Sequence, residues 1–163
     1  MDTKRYIIEQ KYKKCLNSRY INKYEKTEIR ELTKEEQKES FHKYLEFGTG
    51  GMRGIMGMGT NRMNIYMIRK ATQGLSNYLI KLSGVIGKNK GVIIAYDCRI
   101  NSYEFALNSA LVLCANGIKT YLFSSLRSTP ELSFAVRELG CHAGIMITAS
   151  HNPKEYNGYK VYW

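Results

Sequence analysis

The sequence predicts an α/β fold: three layers, α/β/α, around a mostly parallel mixed sheet, with a helical extension at its N-terminal end. Three observations predict it. From residue 91 onward, short apolar runs rich in Val and Ile alternate with longer runs of helical period. Pro and Gly fall where those longer runs should start and stop. The links between them are short, and strand–helix–strand units of that kind imply right-handed crossovers and parallel neighbours covered on both faces.

Residues 1–45 read as helical and form the extension. Ile8, Tyr12 and Cys15/Leu16 recur at spacings of three and four, the period of one helix face. Thr33 followed by Glu36 makes a capping box, opening a helix expected to bury Phe41, Tyr44 and Leu45. Residues 46–163 form the second unit. Its first stretch, 46–64, holds six glycines in 19 positions and cannot be a stable helix. Asn64 then caps a helix carrying Ile68, Ala71, Leu75, Leu79 and Leu82 on one face, with Gly84 just past its end. Residues 92–96 predict a strand. Asn101 and Ser102 cap a helix to Asn116 that Gly117 closes, and 118–123 predict a second strand. Thr129 as N-cap and Pro130 as first helical residue open another helix, ended by Gly140, before a third strand at 144–148.

A chain of 163 residues is long enough to bury a core without staples. At 44% apolar and 24% charged it has the composition of an ordinary soluble domain. No apolar run of membrane-spanning length occurs, and the first residues have no apolar signal region, so a cytoplasmic protein with no membrane partner is expected. The four cysteines, at 15, 98, 114 and 141, form no CxxC pair or zinc spacing and read as reduced thiols, Cys114 and Cys141 as small buried hydrophobes. Twenty-five basic against 14 acidic residues give +11, which suggests an anionic partner, much of it spread along the alternating charges of 1–45. No aromatic–basic signature of a nucleic-acid reader accompanies that charge, so no nucleic acid partner is expected.

In open parallel sheets, ligands gather at the carboxyl ends of strands. Two segments occupy such ends: Asp97-Cys98-Arg99 and Ala149-Ser150-His151-Asn152-Pro153. In the second, four polar side chains from Thr148 to Asn152 follow a buried strand. Pro153 favours an extended entry, Asn157-Gly158 signals a turn, and 159–162 read as a returning strand that carries Lys160 back toward the serine. A turn that merely caps the sheet also fits. Neighbours in an extended chain face opposite sides, so His151 is poorly placed as a base for Ser150 and a serine hydrolase is disfavoured. A phosphate-carrying serine fits the residue types better. The glycine-rich run matches no nucleotide fingerprint. It fits a flexible linker, or an anion cradle of backbone amides with Thr49, Arg53 and Arg62. Asp97 and Arg99 fit a structural ion pair or an active-site role equally.

TASHNPKEYNGYKVY at 148–162 resembles the phosphoserine loop of the α-D-phosphohexomutases. FGTGGMRG at 47–54 is similar to a segment near the start of the phosphoglucomutase/phosphopentomutase branch, and AYDCR at 95–99 and TPELSFAVRELG at 129–140 follow in the family's order. The resemblance implies reversible phosphoryl transfer between the 1-position and the 6-position (5-position in pentoses) of a sugar phosphate, through a bisphosphate intermediate. Ser150 would carry the phosphoryl group. Lys160 matches the family's general acid or base, and Arg53 the arginine beside the phosphoserine. His151 and Asn152 match residues lining the site, and Thr49 and Gly50 join the substrate-binding set. The resemblance also implies Mg²⁺ held by the Ser150 phosphate and by aspartates of a D-G-D-x-D-R loop in a second domain, and a glucose 1,6-bisphosphate-type activator. No D-G-D-x-D-R occurs in these 163 residues. The family's later domains are therefore expected as partners, and this chain alone is expected to show little mutase turnover. The alternative is a non-catalytic phosphosugar-binding or assembly module.

Overall fold

A computed structural model describes residues 3–163. Three helices come first: α1 (Thr3–Asn17), α2 (Lys23–Glu31) and α3 (Lys34–Phe41). Asn22 and Thr33 each close a capping box, with Glu25 and Glu36 reaching back to the cap amides. Ile8, Tyr12, Cys15 and Leu16 of α1 face a small core of Ile21, Ile29 and Phe41. Tyr44 and Leu45, by contrast, lie beyond the end of α3. Tyr44 is exposed, its ring covered instead by the ammonium groups of Lys11 and Lys70.

The first part of the glycine-rich run is a β-hairpin rather than a loop, formed by β1 (Phe47–Gly48) and β2 (Gly51–Ile55). Its tightness requires glycine: Gly51 has φ +91, and a Cβ there would sit 2.5 Å from the Tyr159 carbonyl oxygen. Helix α4 (Ile65–Lys90) starts at Asn64, whose side chain accepts the Met67 amide. Gly84 does not end it but breaks it, at φ 50 and ψ −130, and a further helical segment follows. Leu82 is exposed beside that break.

The remaining elements are β3 (Val92–Tyr96), α5 (Ser102–Ala115), β4 (Thr120–Leu122), α6 (Thr129–Glu138), β5 (Ala143–Ile147) and β6 (Tyr156–Tyr162). Ser128, not Thr129, caps α6 through a capping box with Glu131. Asn101 adopts φ 62 and makes no side-chain cap, and Ser102 turns its hydroxyl to Asp97. Cys114 is exposed on α5, and all four cysteines are free thiols.

The sheet runs β1-β2-β6-β5-β3-β4. β3 pairs parallel with β4 and β5, whereas β6 is antiparallel to both β5 and β2. It is a mixed sheet whose parallel part is one half. The antiparallel half arises because the chain returns directly from β5 into β6 without a crossover helix. Side chains alternate across it. One face, with Ile94, Ile145, Met52 and Tyr159, packs on α4 and α5. On the other, Ile93, Ala95 and Met146 pack on Leu132 and Val136 of α6. Burial of β3 and β5 on both faces explains their uninterrupted apolar sequence.

Candidate active site

β5 ends the buried part of its run at Thr148 and Ala149, 6% and 0% exposed, and the next residue, Ser150, is in the open. The loop is a tight turn, not an extended entry. Ser150 has φ 58, a left-handed conformation unusual for serine, and the Asn152 amide closes on the Ala149 carbonyl at 3.1 Å. Thr148 Oγ1 accepts the Ser150 amide at 3.0 Å. This geometry revises the expectation for His151. Because the chain turns at Ser150, the two side chains are neighbours, with His151 Nδ1 3.5 Å from Ser150 Oγ. That separation is at the outer limit of hydrogen bonding, and both groups are exposed.

Asn157 and Gly158 do not form a turn. They lie inside β6, and both are buried. The Asn157 side chain donates to the Ile100 carbonyl and the Ser102 hydroxyl, each at 3.0 Å, stitching β6 to the start of α5. β6 does return along β5, but its register sets Lys160 opposite Met146, down the strand from the serine loop rather than back at the serine. Lys160 thus lies on the α6 face of the sheet, and so does Arg53, which sits opposite Gly158 on β2. α6 packs on β3 and β5. Beyond β5 the same face carries Lys160 and Arg53, both partly exposed.

Arg53 joins the two parts of the site. Its Nη1 donates to Asn152 Oδ1 at 3.3 Å, across 99 residues of sequence. Its Nε is buried without a hydrogen-bond partner. Thr49 and Gly50 at the hairpin tip line a cleft of about 230 Å³ together with Lys160. On the other side of the tip, Gly50 and Arg53 line a second cleft with Lys43 and Asn61. Arg62 is not part of this cradle, since it pairs with Glu39 at 3.2 Å.

Burial lowers the pKa of the Lys160 ammonium below the ordinary lysine range. The Arg53 charge lowers it further, and Asp97 opposes both. The folded protein thus binds this proton less tightly than the unfolded chain. Stability from this group rises with pH through the window between the folded and ordinary lysine values. Arg53→Met is expected to raise the Lys160 midpoint toward the ordinary value, read by NMR of the ¹³C-dimethylated amine. An unchanged midpoint would show that the two charges do not interact.

Arg99 is the residue whose role the sequence left most open. Its ion pair with Asp97 exists, Nε to Oδ2 at 3.6 Å. The larger part of its hydrogen bonding goes to the serine loop. Nη1 donates to the carbonyls of Pro153 and Tyr156 at 2.8 and 3.0 Å, and Nη2 to those of Ser150 and Asn152 at 2.8 and 2.6 Å. Nothing in the local sequence marks this, because the partners are main-chain oxygens more than 50 residues away.

Residues 44–163 match the family model for phosphoglucomutase/phosphomannomutase, alpha/beta/alpha domain I. A phosphoglucomutase of Staphylococcus aureus (strain MRSA252) is 50% identical over 127 residues, covering 78% of this chain and 22% of that protein. A human phosphopentomutase is 46% identical over 141 residues, 83% of this chain and 23% of that protein. The chain therefore spans less than a quarter of the length of these curated relatives. A crystal structure from Thermus thermophilus, assigned as a phosphomannomutase, superposes with a TM-score of 0.65 at 30% identity, covering 74% of this chain and 26% of that one. The family model matched over residues 44–163, relatives at 46% and 50% identity and the superposed mixed α/β fold all agree: the chain belongs to the phosphoglucomutase/phosphomannomutase family and carries its alpha/beta/alpha domain I.

Proposed function

We propose that this chain is the phosphoryl-carrier domain of a sugar phosphomutase, an intramolecular phosphotransferase acting between the 1-position and the 6-position, or the 5-position of a pentose. One observation carries the reading. The Ser150 hydroxyl stands exposed at the end of a buried strand, on a loop that Arg53 contacts, and Arg53 shares its sheet face with Lys160, which lines a cleft with the hairpin tip. Phosphoryl transfer depends on positioning and on neutralising charge on the phosphate oxygens. The Arg53 guanidinium and the Lys160 ammonium, both on partly exposed side chains, supply that charge. In the forward step a sugar hydroxyl oxygen bonds to phosphorus as the bond from Ser150 Oγ breaks. Net, one proton passes from the sugar hydroxyl to the serine oxygen. A lysine whose proton is loosened by burial is suited to hold it between the two. His151 and Asn152 line the loop, and Thr49 and Gly50 offer a hydroxyl and a backbone amide at the cleft.

Mg²⁺ fits these residues poorly. Among the described residues no group of three or more His, Cys, Asp or Glu could hold a metal ion. Asp97 already accepts the Arg99 amide and the Ser102 hydroxyl. The contribution proposed for this chain is one oxygen of a Ser150 phosphate, and no step above passes through the ion. The phosphoryl source is proposed to be a glucose 1,6-bisphosphate-type activator. Among the described residues no helix is long and apolar enough to cross a membrane.

Incubation of the chain with glucose 1,6-bisphosphate and Mg²⁺ is expected to add one phosphoryl group, mapped to Ser150 by mass spectrometry and absent from Ser150→Ala. An adduct that persists in Ser150→Ala, or a wild-type chain that takes up none even with the family's later domains supplied, sinks the carrier role and leaves the binding-module reading.

A further inference from the structure

We infer that Arg99 is the positioning residue of the serine loop: its guanidinium, anchored on Asp97, holds Ser150 in the left-handed turn that presents the hydroxyl. The inference rests on Ser150 being the phosphoryl carrier, and one arm of its test is independent of that.

A non-glycine residue at φ 58 is strained and persists only where its surroundings over-determine it. At Ser150 both flanking peptide groups are held. Thr148 Oγ1 takes its amide hydrogen, and Arg99 Nη2 donates to its carbonyl at 2.8 Å. The same guanidinium reaches Asn152, Pro153 and Tyr156, so one planar group binds four carbonyls of a seven-residue segment. Five donors in a rigid fork make this possible, whereas a lysine ammonium offers three from a single point. The fork is itself fixed. Asp97 accepts the Arg99 amide at 3.1 Å and faces Nε at 3.6 Å, while Ser102 donates to the same carboxylate at 2.9 Å. The Arg99 side chain is 13% exposed, so water competes weakly for these carbonyls.

The arrangement explains why an arginine stands at the end of β3 when the serine stands after β5. The two strands are parallel neighbours, with Tyr96 beside Ile147. Their carboxyl ends therefore open side by side, and the side chain from one can brace the backbone of the other. Arg99 grips the main chain of the loop rather than the Ser150 hydroxyl. Its effect on chemistry passes through the geometry of the loop.

Two readouts test this. The amides of Ser150, Asn152 and Tyr156 are hydrogen-bonded within the loop. In Arg99→Lys their hydrogen exchange is expected to accelerate about tenfold or more, with β3 and β5 unchanged, because bonds from a charged donor are the stronger ones. This arm needs no phosphoryl transfer, so it stands even if the carrier role fails. In the second arm, the first-order rate of Ser150 phosphorylation at saturating glucose 1,6-bisphosphate is expected to fall about 100-fold in Arg99→Ala, as for a small misplacement of a reacting group. Half-saturation should stay near the wild-type value, and added methylguanidinium should restore part of the rate. Loop amides that exchange at wild-type rates in Arg99→Lys overturn the proposal. So does an Arg99→Ala chain that phosphorylates normally, or one that loses rate with no response to methylguanidinium.

Discussion

Gly158→Ala is expected to cost at least about 2 kcal/mol of stability and to slow phosphorylation of Ser150 about 100-fold. The expectation runs against the usual rule, since glycine inside a strand normally weakens it and alanine is normally tolerated. Gly158 is different because of what surrounds it. A Cβ there would lie 2.5 Å from the Thr148 carbonyl oxygen, 3.0 Å from that of Met52 and 3.0 Å from Arg53 Cγ. Two of these are backbone atoms of the neighbouring strands and cannot step aside alone. Gly158 also accepts the Thr148 amide at 3.1 Å, the bond that sets where β5 gives way to the serine loop. The added methyl group therefore pushes on two site components together: Thr148, which holds the Ser150 amide, and Arg53, which reaches Asn152. Gly74→Ala provides the contrast, because nothing lies within 4 Å of a Cβ at that exposed position in α4. It is expected to stabilise by about 0.5–1 kcal/mol through helix propensity. Thermal unfolding and the rate of phosphoryl uptake read both variants. A Gly158→Ala chain as stable and as reactive as wild type would mean that the close packing around residue 158 is not needed.

The same glycine shows where sequence reasoning stops. Local signals identified β3, β5 and the cores of α4, α5 and α6, because these elements announce themselves through continuous burial, helical period and caps. Asn157-Gly158 carries one of the strongest local turn signals, yet it lies mid-strand. Its side-chain bonds to Ile100 and Ser102 and its packing against Thr148 are long-range and outweigh the local preference. The hairpin at 47–55 was hidden for the same reason. Its glycines permit close strand approach, but which strand approaches is set by β6, a hundred residues later. The cap of α6 is legible one residue before Thr129, since Ser128 and Glu131 have the capping-box spacing and Thr129 does not. The net charge, too, is distributed differently from the expectation. Residues 1–45 hold 12 basic and 8 acidic side chains, against 13 and 6 over 46–163, so the larger share of the +11 belongs to the sheet domain that bears the site. For the candidate site, Ser150, Arg53 and Lys160 are named by the motifs alone. Arg99's grip on the loop is not, because a side chain that binds main-chain oxygens leaves no trace in the residues it binds.

Phe41→Ala is expected to cost about 3–5 kcal/mol, the range for deleting a buried aromatic ring, and to loosen the hairpin that carries Arg53. Phe41 is fully buried and meets the Tyr12 ring edge-on at 5.7 Å. The cluster it fills draws on both parts of the chain: Ile21 from the link between α1 and α2, Ile29 from α2, Met58 from the glycine-rich segment and Tyr66 from α4. Polar bonds follow the same path. Glu28 accepts the Met58 amide at 3.1 Å, Ser40 accepts the Asn61 amide at 2.9 Å, and the Tyr66 hydroxyl donates to Glu25 at 2.6 Å. Burial and the Glu25 carboxylate both push the Tyr66 phenol above its ordinary pKa, so it remains a donor throughout the physiological range. The leading helices thus brace the segment between β2 and α4 from outside, and that segment fixes the angle at which β2 offers Arg53 to the serine loop. With a domain of this size, 3–5 kcal/mol corresponds to a fall in melting temperature of about 10 °C or more. It should come as one shifted transition followed alike by far-UV and tyrosine signals, because the leading helices share the cluster with α4 and with the segment that follows β2. Two separate transitions in Phe41→Ala, with the sheet melting at its wild-type temperature, would instead make residues 1–45 an independent appendage with no part in holding the site.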